Sequence, residues 1–233
     1  INFPQNRFKQ YDDNLIAHLI TINASKPVHI RLKYYQYFSL LFTEYYLDHF
    51  LTDRHDLMEK LNDFIHSSSN PEIKNLPPFS EDDLNKLAYW NATGSGKTFI
   101  THINILQYRF YAQQNGVKFR NIILLTPGED LSAQHLSDLE SSGIAANYYW
   151  EDKESSTVKV IDIHKIREFS SGEGVTVPLS EFARHSAIFV DEGHKGDSTQ
   201  DSQWRKIRNS LSEQGVALDY SATFVRLNGA DLW

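Results

Sequence analysis

Tyr89-Trp90-Asn91-Ala92-Thr93-Gly94-Ser95-Gly96-Lys97-Thr98-Phe99-Ile100 is the stretch that decides how this chain is read. An apolar strand feeds a glycine-bearing turn, and the turn ends in Lys-Thr at the mouth of an amphipathic helix. Gly94 and Gly96 let the backbone curl so that successive N–H groups converge on phosphate oxygens. The helix opening near Lys97 adds the positive end of its dipole, about half a charge. In such a turn Lys97 supplies a point charge for β- and γ-phosphates, and the Thr98 hydroxyl is placed to ligate Mg²⁺. Thr93, Gly94, Ser95, Gly96, Lys97 and Thr98 are therefore the candidate ATP-binding residues. One departure stands out: the general phosphate-loop pattern has Gly five residues before Gly96, and this chain has Asn91 there. An ordinary strand-to-helix turn with an exposed lysine shares much of this local sequence, so other segments must separate the two.

Ala187-Ile188-Phe189-Val190-Asp191-Glu192-Gly193-His194 is the second such segment. Four apolar residues predict a buried parallel strand, with two carboxylates at its C-terminal end. In open α/β sheets ligands bind at that edge. Asp191 is the candidate ligand for the Mg²⁺ that bridges the phosphates. Glu192 is the candidate base that orients and deprotonates the attacking water. A solvated acidic turn closing a strand is the plain alternative. Farther on, Leu218-Asp219-Tyr220-Ser221-Ala222-Thr223 predicts a strand ending in Ser-Ala-Thr, a weak signal by itself.

Taken in order, Ala-Thr-Gly-Ser-Gly-Lys-Thr, Asp-Glu-Gly-His and Ser-Ala-Thr resemble motifs I, II and III of superfamily 2 DEAD/DEAH-type helicases and translocases. The Gly within Asp191-Glu192-Gly193-His194 is similar to the form found in type III restriction enzyme helicase (res) subunits and related defence ATPases. Ile122-Ile123-Leu124-Leu125-Thr126-Pro127-Gly128 resembles motif Ia, and Val160-Ile161-Asp162-Ile163-His164-Lys165 the strand-to-helix segment before the DEAH strand. The match runs from about Arg31 onward. It implies an α/β fold: a RecA-like P-loop NTPase domain, a mostly parallel sheet with helices on both faces, preceded by a helical N-terminal segment. It also implies an ATP- and Mg²⁺-dependent motor.

By the same resemblance, His194, Ser221 and Thr223 couple the nucleotide site to the nucleic-acid track. Thr126, Pro127 and Gly128 face that track at a strand end, with Gln134 and His135 a helical turn on, and His164 and Lys165 farther along. Small residues with free amides contact phosphates without reading sequence. Plain strand-end and helix-cap chemistry is the alternative for all of them. Gln36, with Arg31 nearby, is placed in the adenine pocket, because an amide both donates and accepts against the N6/N7 edge of the base. Its alternative is a polar residue on the wet face of an aromatic helix. The implied partner is DNA, duplex by preference, with RNA left open. Others are a second RecA-like domain carrying the later motifs and a methyltransferase or nuclease subunit. The reading from another class is a nucleotide-sensing or interaction module without motor action. Nothing in the chain resembles the lid or substrate clamp of a small-molecule kinase.

Composition sets bounds on these readings. The 233 residues suffice for one large domain, with 40% hydrophobic and 23% charged residues. No apolar run reaches the ~20 residues needed to span a bilayer. No cysteine is present, which removes disulfides and thiolate metal sites and fits a reducing cytoplasm. The net charge of −7 and pI of about 5.8 count against a broad basic surface for nucleic acid. A motor gripping the backbone through a few loop amides remains compatible with them. Glu151-Asp152-Lys153 has the form of a nuclease Glu-x-Lys, but reads better as a solvated charge cluster. The chain opens at Ile1 without Met and closes at Trp233 soon after Ser-Ala-Thr, which reads as part of a longer protein.

The expected organisation is an aromatic-rich N-terminal segment over 1–86, packing on a first RecA-like ATPase domain over 87–233. In the first, Asp13–Leu19 reads as a short helix and Ala24–Ile30 as extended. Arg31–Leu51 reads as a long helix whose Phe38, Phe42, Tyr45, Tyr46 and Phe50 form a packing face. Asp53–His66 reads as a second helix, and Ser80 with Asp83 as the N-cap of a short one. In the second, strands are expected at Leu87–Asn91, Asn121–Thr126, Ala145–Tyr149, Val158–Ile163, Ala187–Val190 and Ala217–Ser221. Helices are expected at Lys97–Gln114, Leu131–Ser141, His164–Glu168 and Ser202–Gln214. The Gly- and Ser-rich stretch between Phe169 and Arg184 predicts an irregular excursion.

Overall fold

Helices α1 (Gln5–Asn23), α2 (Tyr34–Thr52), α3 (Arg54–Ser67) and α4 (Pro71–Lys74) lead through a 3₁₀ turn at Glu81–Asn85 into β1 (Lys86–Trp90). Then come α5 (Lys97–Gln114), β2 (Asn121–Thr126), α6 (Glu129–Ser141), β3 (Ala146–Tyr148), β4 (Val158–Asp162) and a second 3₁₀ turn at Ile163–Lys165. Two short strands, β5 (Ile166–Arg167) and β6 (Val177–Pro178), precede β7 (Ser186–Asp191) and β8 (Val216–Ser221). The structure, a computed structural model, describes residues 5–117, 121–151, 157–167, 177–178, 186–192, 207, 210 and 215–222.

The main sheet has six strands in the order β1-β8-β7-β2-β4-β3, and every pairing is parallel. All six strands form where the sequence predicts them, to within one residue at each end. The reason is local: the four central strands β8, β7, β2 and β4 are mainly apolar stretches buried along their length, whereas the edge strands β1 and β3 are only partly covered. Alternate residues supply two cores. Ile122, Leu124, Val158, Val160, Ala187, Phe189, Leu218 and Tyr220 join one cluster with α1, α2, α5 and α6. Ile123, Leu125, Ile161, Ile188, Val190 and Ala217 join another with Ile163, Ile166, Val177 and Ile207. This is the α/β, RecA-like arrangement with a helical N-terminal segment. Of the helix expected over 202–214, residues 207 and 210 are described, and both are helical. Most of the expected excursion between Phe169 and Arg184 lies outside the described residues.

Three expectations need correcting. The first helix runs over 19 residues, Gln5–Asn23, rather than the short Asp13–Leu19. Its extension buries Tyr11 and Ile22 in the large cluster, a gain invisible to local pattern. The helix expected at His164–Glu168 is a 3₁₀ turn followed by β5. The Asp162 side chain accepts from the His164 amide and caps the turn, and Ile166 enters the second core as strand. The aromatic face of α2 is divided. Tyr45, Tyr46 and Phe50 are buried, whereas Phe38 and Phe42 are 50% and 53% exposed. The two lie one turn apart, in line with exposed Tyr34, on the side away from buried Leu40, Glu44 and Leu47.

His102 of α5 is 2% exposed, with Nδ1 2.9 Å from Ser142 Oγ. Burial, with smaller contributions from His135 and Lys26, lowers its pKa from 6.5 to about 3. The folded chain keeps this ring neutral where the unfolded chain takes up a proton. Its contribution to stability is thus full above pH 6.5 and is lost as the pH falls toward 3. Urea denaturation at pH 7 and pH 5 measures the effect. We expect the stability lost between the two to be smaller by about 2 kcal/mol in His102→Gln than in the parent. Equal losses would show that the ring is protonated in the folded state.

Candidate functional site

Because all six strands run the same way, their C-terminal ends make one edge. Trp90 is in register with Ser221, and Asp191 with Tyr220. The glycine turn after β1, the Ser-Ala-Thr end of β8 and the carboxylates ending β7 are therefore neighbours. At the usual strand spacing, β1 and β7 lie about 10 Å apart with β8 between them.

The turn after β1 is held from both sides. The Asn91 amide donates to the Ser221 carbonyl at 3.0 Å, and the Ser95 amide to the Ala92 carbonyl at 3.1 Å. Gly94 and Gly96 have φ of +74° and +88°, left-handed values that favour glycine. A Cβ on Gly96 would also lie 2.6 Å from Gln36 Nε2. Gly96 is the N-cap of α5, whose first turn has no side-chain cap and no acidic residue. Its leading amides are left for an anion. Ser95 Oγ and Asn91 Nδ2 are buried without hydrogen-bond partners among the described residues. Uncapped amides, two unpaired polar atoms, Lys97 and the Thr98 hydroxyl together fit a triphosphate.

Gln36 reaches this loop across 59 residues. Its Nε2 donates to the Ser95 carbonyl at 2.7 Å, and its Oε1 accepts from the Lys33 amide at 2.9 Å. The Tyr35 hydroxyl donates to the same Ser95 carbonyl at 3.1 Å. Both side chains brace the loop, and both polar atoms of the Gln36 amide are engaged within the chain. Arg31 is exposed, in the segment that precedes α2. Thr93 is exposed at the rim of the loop.

Asp191 has a side chain 18% exposed, and its Oδ2 lies 3.0 Å from His135 Nε2. Its other oxygen makes no hydrogen bond to a described residue. Glu192 is the one described non-glycine residue at positive φ, +55°. A left-handed glutamate costs roughly 1 kcal/mol and persists where the surroundings require it, often at functional sites. Ser221 is fully buried at the end of β8, between the two. His194 and Thr223 lie outside the described residues.

Along the edge toward β3, Thr126 is in register with Asp162, so the motif Ia turn adjoins His164 and Lys165. Thr126 is 0% exposed, with its hydroxyl 2.6 Å from Ser132 Oγ, so its side chain braces the turn instead of facing solvent. Pro127 and Gly128 are half-buried, and Gln134 and His164 are exposed. Lys165 lies 3.7 Å from Glu129 and 5.7 Å from the Trp150 ring centroid. His135, expected beside Gln134 on the track, points inward instead. Neighbours on a helix differ by about 100°, and Ser132, His135 and Leu139 form the buried face of α6. That spacing was available in the sequence as a sign that His135 is interior. Nothing local marked Tyr35 as a brace.

The family model described as type III restriction enzyme, res subunit, matches residues 55–226. The SWI2/SNF2 ATPase core of Sulfolobus solfataricus, solved in complex with dsDNA, is similar over 90% of this chain and 36% of its own, at 12% identity and a TM-score of 0.48. Arterivirus nonstructural protein 10, a helicase, is similar over 58% of this chain and 27% of its own, at 16% identity and a TM-score of 0.29. The chain thus spans little more than a third of the length of the first. No curated protein matches the sequence. With the phosphate loop, the Asp-Glu couplet and the Ser-Ala-Thr strand on one parallel edge, this chain belongs to the type III restriction enzyme res subunit family and has the fold of its helicase-type ATPase motor domain.

Proposed function

We propose that this chain is the first RecA-like motor domain of a DNA helicase or translocase from a type III restriction-like or related defence system. The observation that carries the reading is the shared edge: the glycine turn of β1 and the carboxylates of β7 flank the end of β8. Residues 87–233 form the ATPase domain, and residues 1–86 form a helical addition whose Gln36 steadies the phosphate loop. The cytoplasm is the proposed compartment. No described helix is long and apolar enough to cross a membrane.

The loop amides and Lys97 hold ATP by its phosphates. Thr98 and Asp191 would hold Mg²⁺, whose charge would offset that of the phosphates. Glu192 accepts a proton from the attacking water. Ser221, with His194 and Thr223, reports the nucleotide state to the edge formed by Pro127, Gly128, Gln134, His164 and Lys165. The hydroxyl of Thr126 acts there by bracing the turn. An arginine from a second RecA-like domain completes the site, a contribution worth roughly 10³–10⁵ in rate. The 233-residue chain alone is therefore expected to hydrolyse ATP very slowly.

Steady-state ATP hydrolysis by the full-length protein, with and without duplex DNA, tests this. Duplex-stimulated turnover is the expected result. ATP binding with no stimulation by duplex or single strands would replace the motor with a nucleotide-sensing module.

A further inference from the structure

His135 is built into the site in a way that the motif pattern did not indicate. It is 5% exposed on the inner face of α6, where an aliphatic side chain would suit the packing. Asp191 as a carboxylate only accepts, so His135 Nε2 carries the proton across their 3.0 Å contact. Its Nδ1 is buried and has no hydrogen-bond partner among the described residues. An interior imidazole with one of its two nitrogens unpaired is a poor core residue. What the ring provides is the single bond to Asp191.

The helix that carries His135 starts at the other functional region. Gly128 is the N-cap of α6, and the 2.6 Å contact between Thr126 Oγ1 and Ser132 Oγ ties its first turn to the end of β2. From that cap to His135 is seven residues, about 10 Å along the axis. A short rigid helix thus joins the proposed nucleic-acid edge to the carboxylate that would hold the cation. We propose that His135 is a positioning residue: through its contact with Oδ2 it fixes the Asp191 carboxylate that, with Thr98, would hold Mg²⁺. The proposal rests on the motor reading above and adds to it a residue outside the motifs.

Groups that hydrogen-bond a ligating carboxylate typically change metal affinity 10–100-fold when removed. The test is binding of a fluorescent ADP analogue to the 233-residue chain, titrated with Mg²⁺ and repeated in EDTA. His135→Leu should weaken the apparent Mg²⁺ affinity 10–100-fold and leave binding in EDTA unchanged. His135→Gln, whose amide N–H can stand where Nε2 stood, should retain the parent's Mg²⁺ affinity. His135→Asn, too short to reach, should lose it. The Gln and Asn pair decides the matter even if the leucine variant does not fold. Parental Mg²⁺ affinity in all three variants, alongside a loss in Asp191→Asn, overturns the role of His135 alone. Parental Mg²⁺ affinity in Asp191→Asn as well overturns the metal-site reading and the inference with it.

Discussion

Glu192→Gln in the full-length protein is expected to bind Mg·ATP as the parent does and to hydrolyse it about 10²–10⁴-fold more slowly, the usual contribution of a positioned general base. The substitution keeps size and shape and removes only the ability to accept a proton. The backbone at this position is left-handed, with φ of +55°. Glutamine meets the same strain as glutamate there, so the fold is not penalised by the exchange. Nucleotide affinity and turnover measured on one preparation separate the two effects. A variant that hydrolyses ATP at the parent's rate would remove Glu192 from the reaction. A variant that fails to bind ATP would place the residue in binding instead. The expected pattern, binding without turnover, distinguishes a proton acceptor at the end of β7 from a solvated acidic turn.

The second large effect concerns the fold around the phosphate-loop helix. Glu44 of α2 is fully buried and accepts three hydrogen bonds, one of them from α1 and two from α5. Its Oε2 takes the Tyr111 hydroxyl at 2.6 Å and Asn14 Nδ2 at 3.0 Å, and its Oε1 takes Gln107 Nε2 at 2.7 Å. Burial raises its pKa, and the three donors work against that rise. Glu44→Ala abandons three donors at once and opens a cavity between α1, α2 and α5. Each buried unsatisfied group costs about 1–3 kcal/mol, so a total loss of roughly 3–5 kcal/mol is expected. That is a large share of the 5–15 kcal/mol typical of a folded domain. Glu44→Gln keeps the volume and one acceptor and should lose less than half as much. Urea midpoints for the three proteins check the order. An alanine variant as stable as the parent would mean that these helices do not depend on the carboxylate for their packing.

The same network bears on how the chain is divided. Residues 1–86 read in the sequence as a segment laid against the motor domain. In the structure Tyr11, Leu15, Leu40 and Leu47 share one hydrophobic cluster with Ile100, Ile103, Phe189 and Leu218. Glu44 supplies a polar tie at the same place. Loss of the N-terminal helices would uncover one face of α5, the helix that begins in the phosphate loop.

By itself the sequence determined whatever depends on neighbours along the chain. Short stretches rich in apolar residues and bounded by turn residues placed the strands to within a residue. Gly94 and Gly96 placed a turn that needs positive φ, and Lys97 to Gln114 placed the helix after it, because capping, propensity and glycine conformation are local properties. Motif order identified the RecA-like class, since it is a property of the chain read from end to end. Only the tertiary structure decided what those pieces touch. Gln36 reaches Ser95, His135 reaches Asp191 and Glu44 gathers Asn14, Gln107 and Tyr111, over separations of 30 to 67 residues. The length of α1 and the division of the aromatic face of α2 have the same origin. Both depend on which surfaces another element covers, and burial belongs to the folded whole, so no window of sequence contains it.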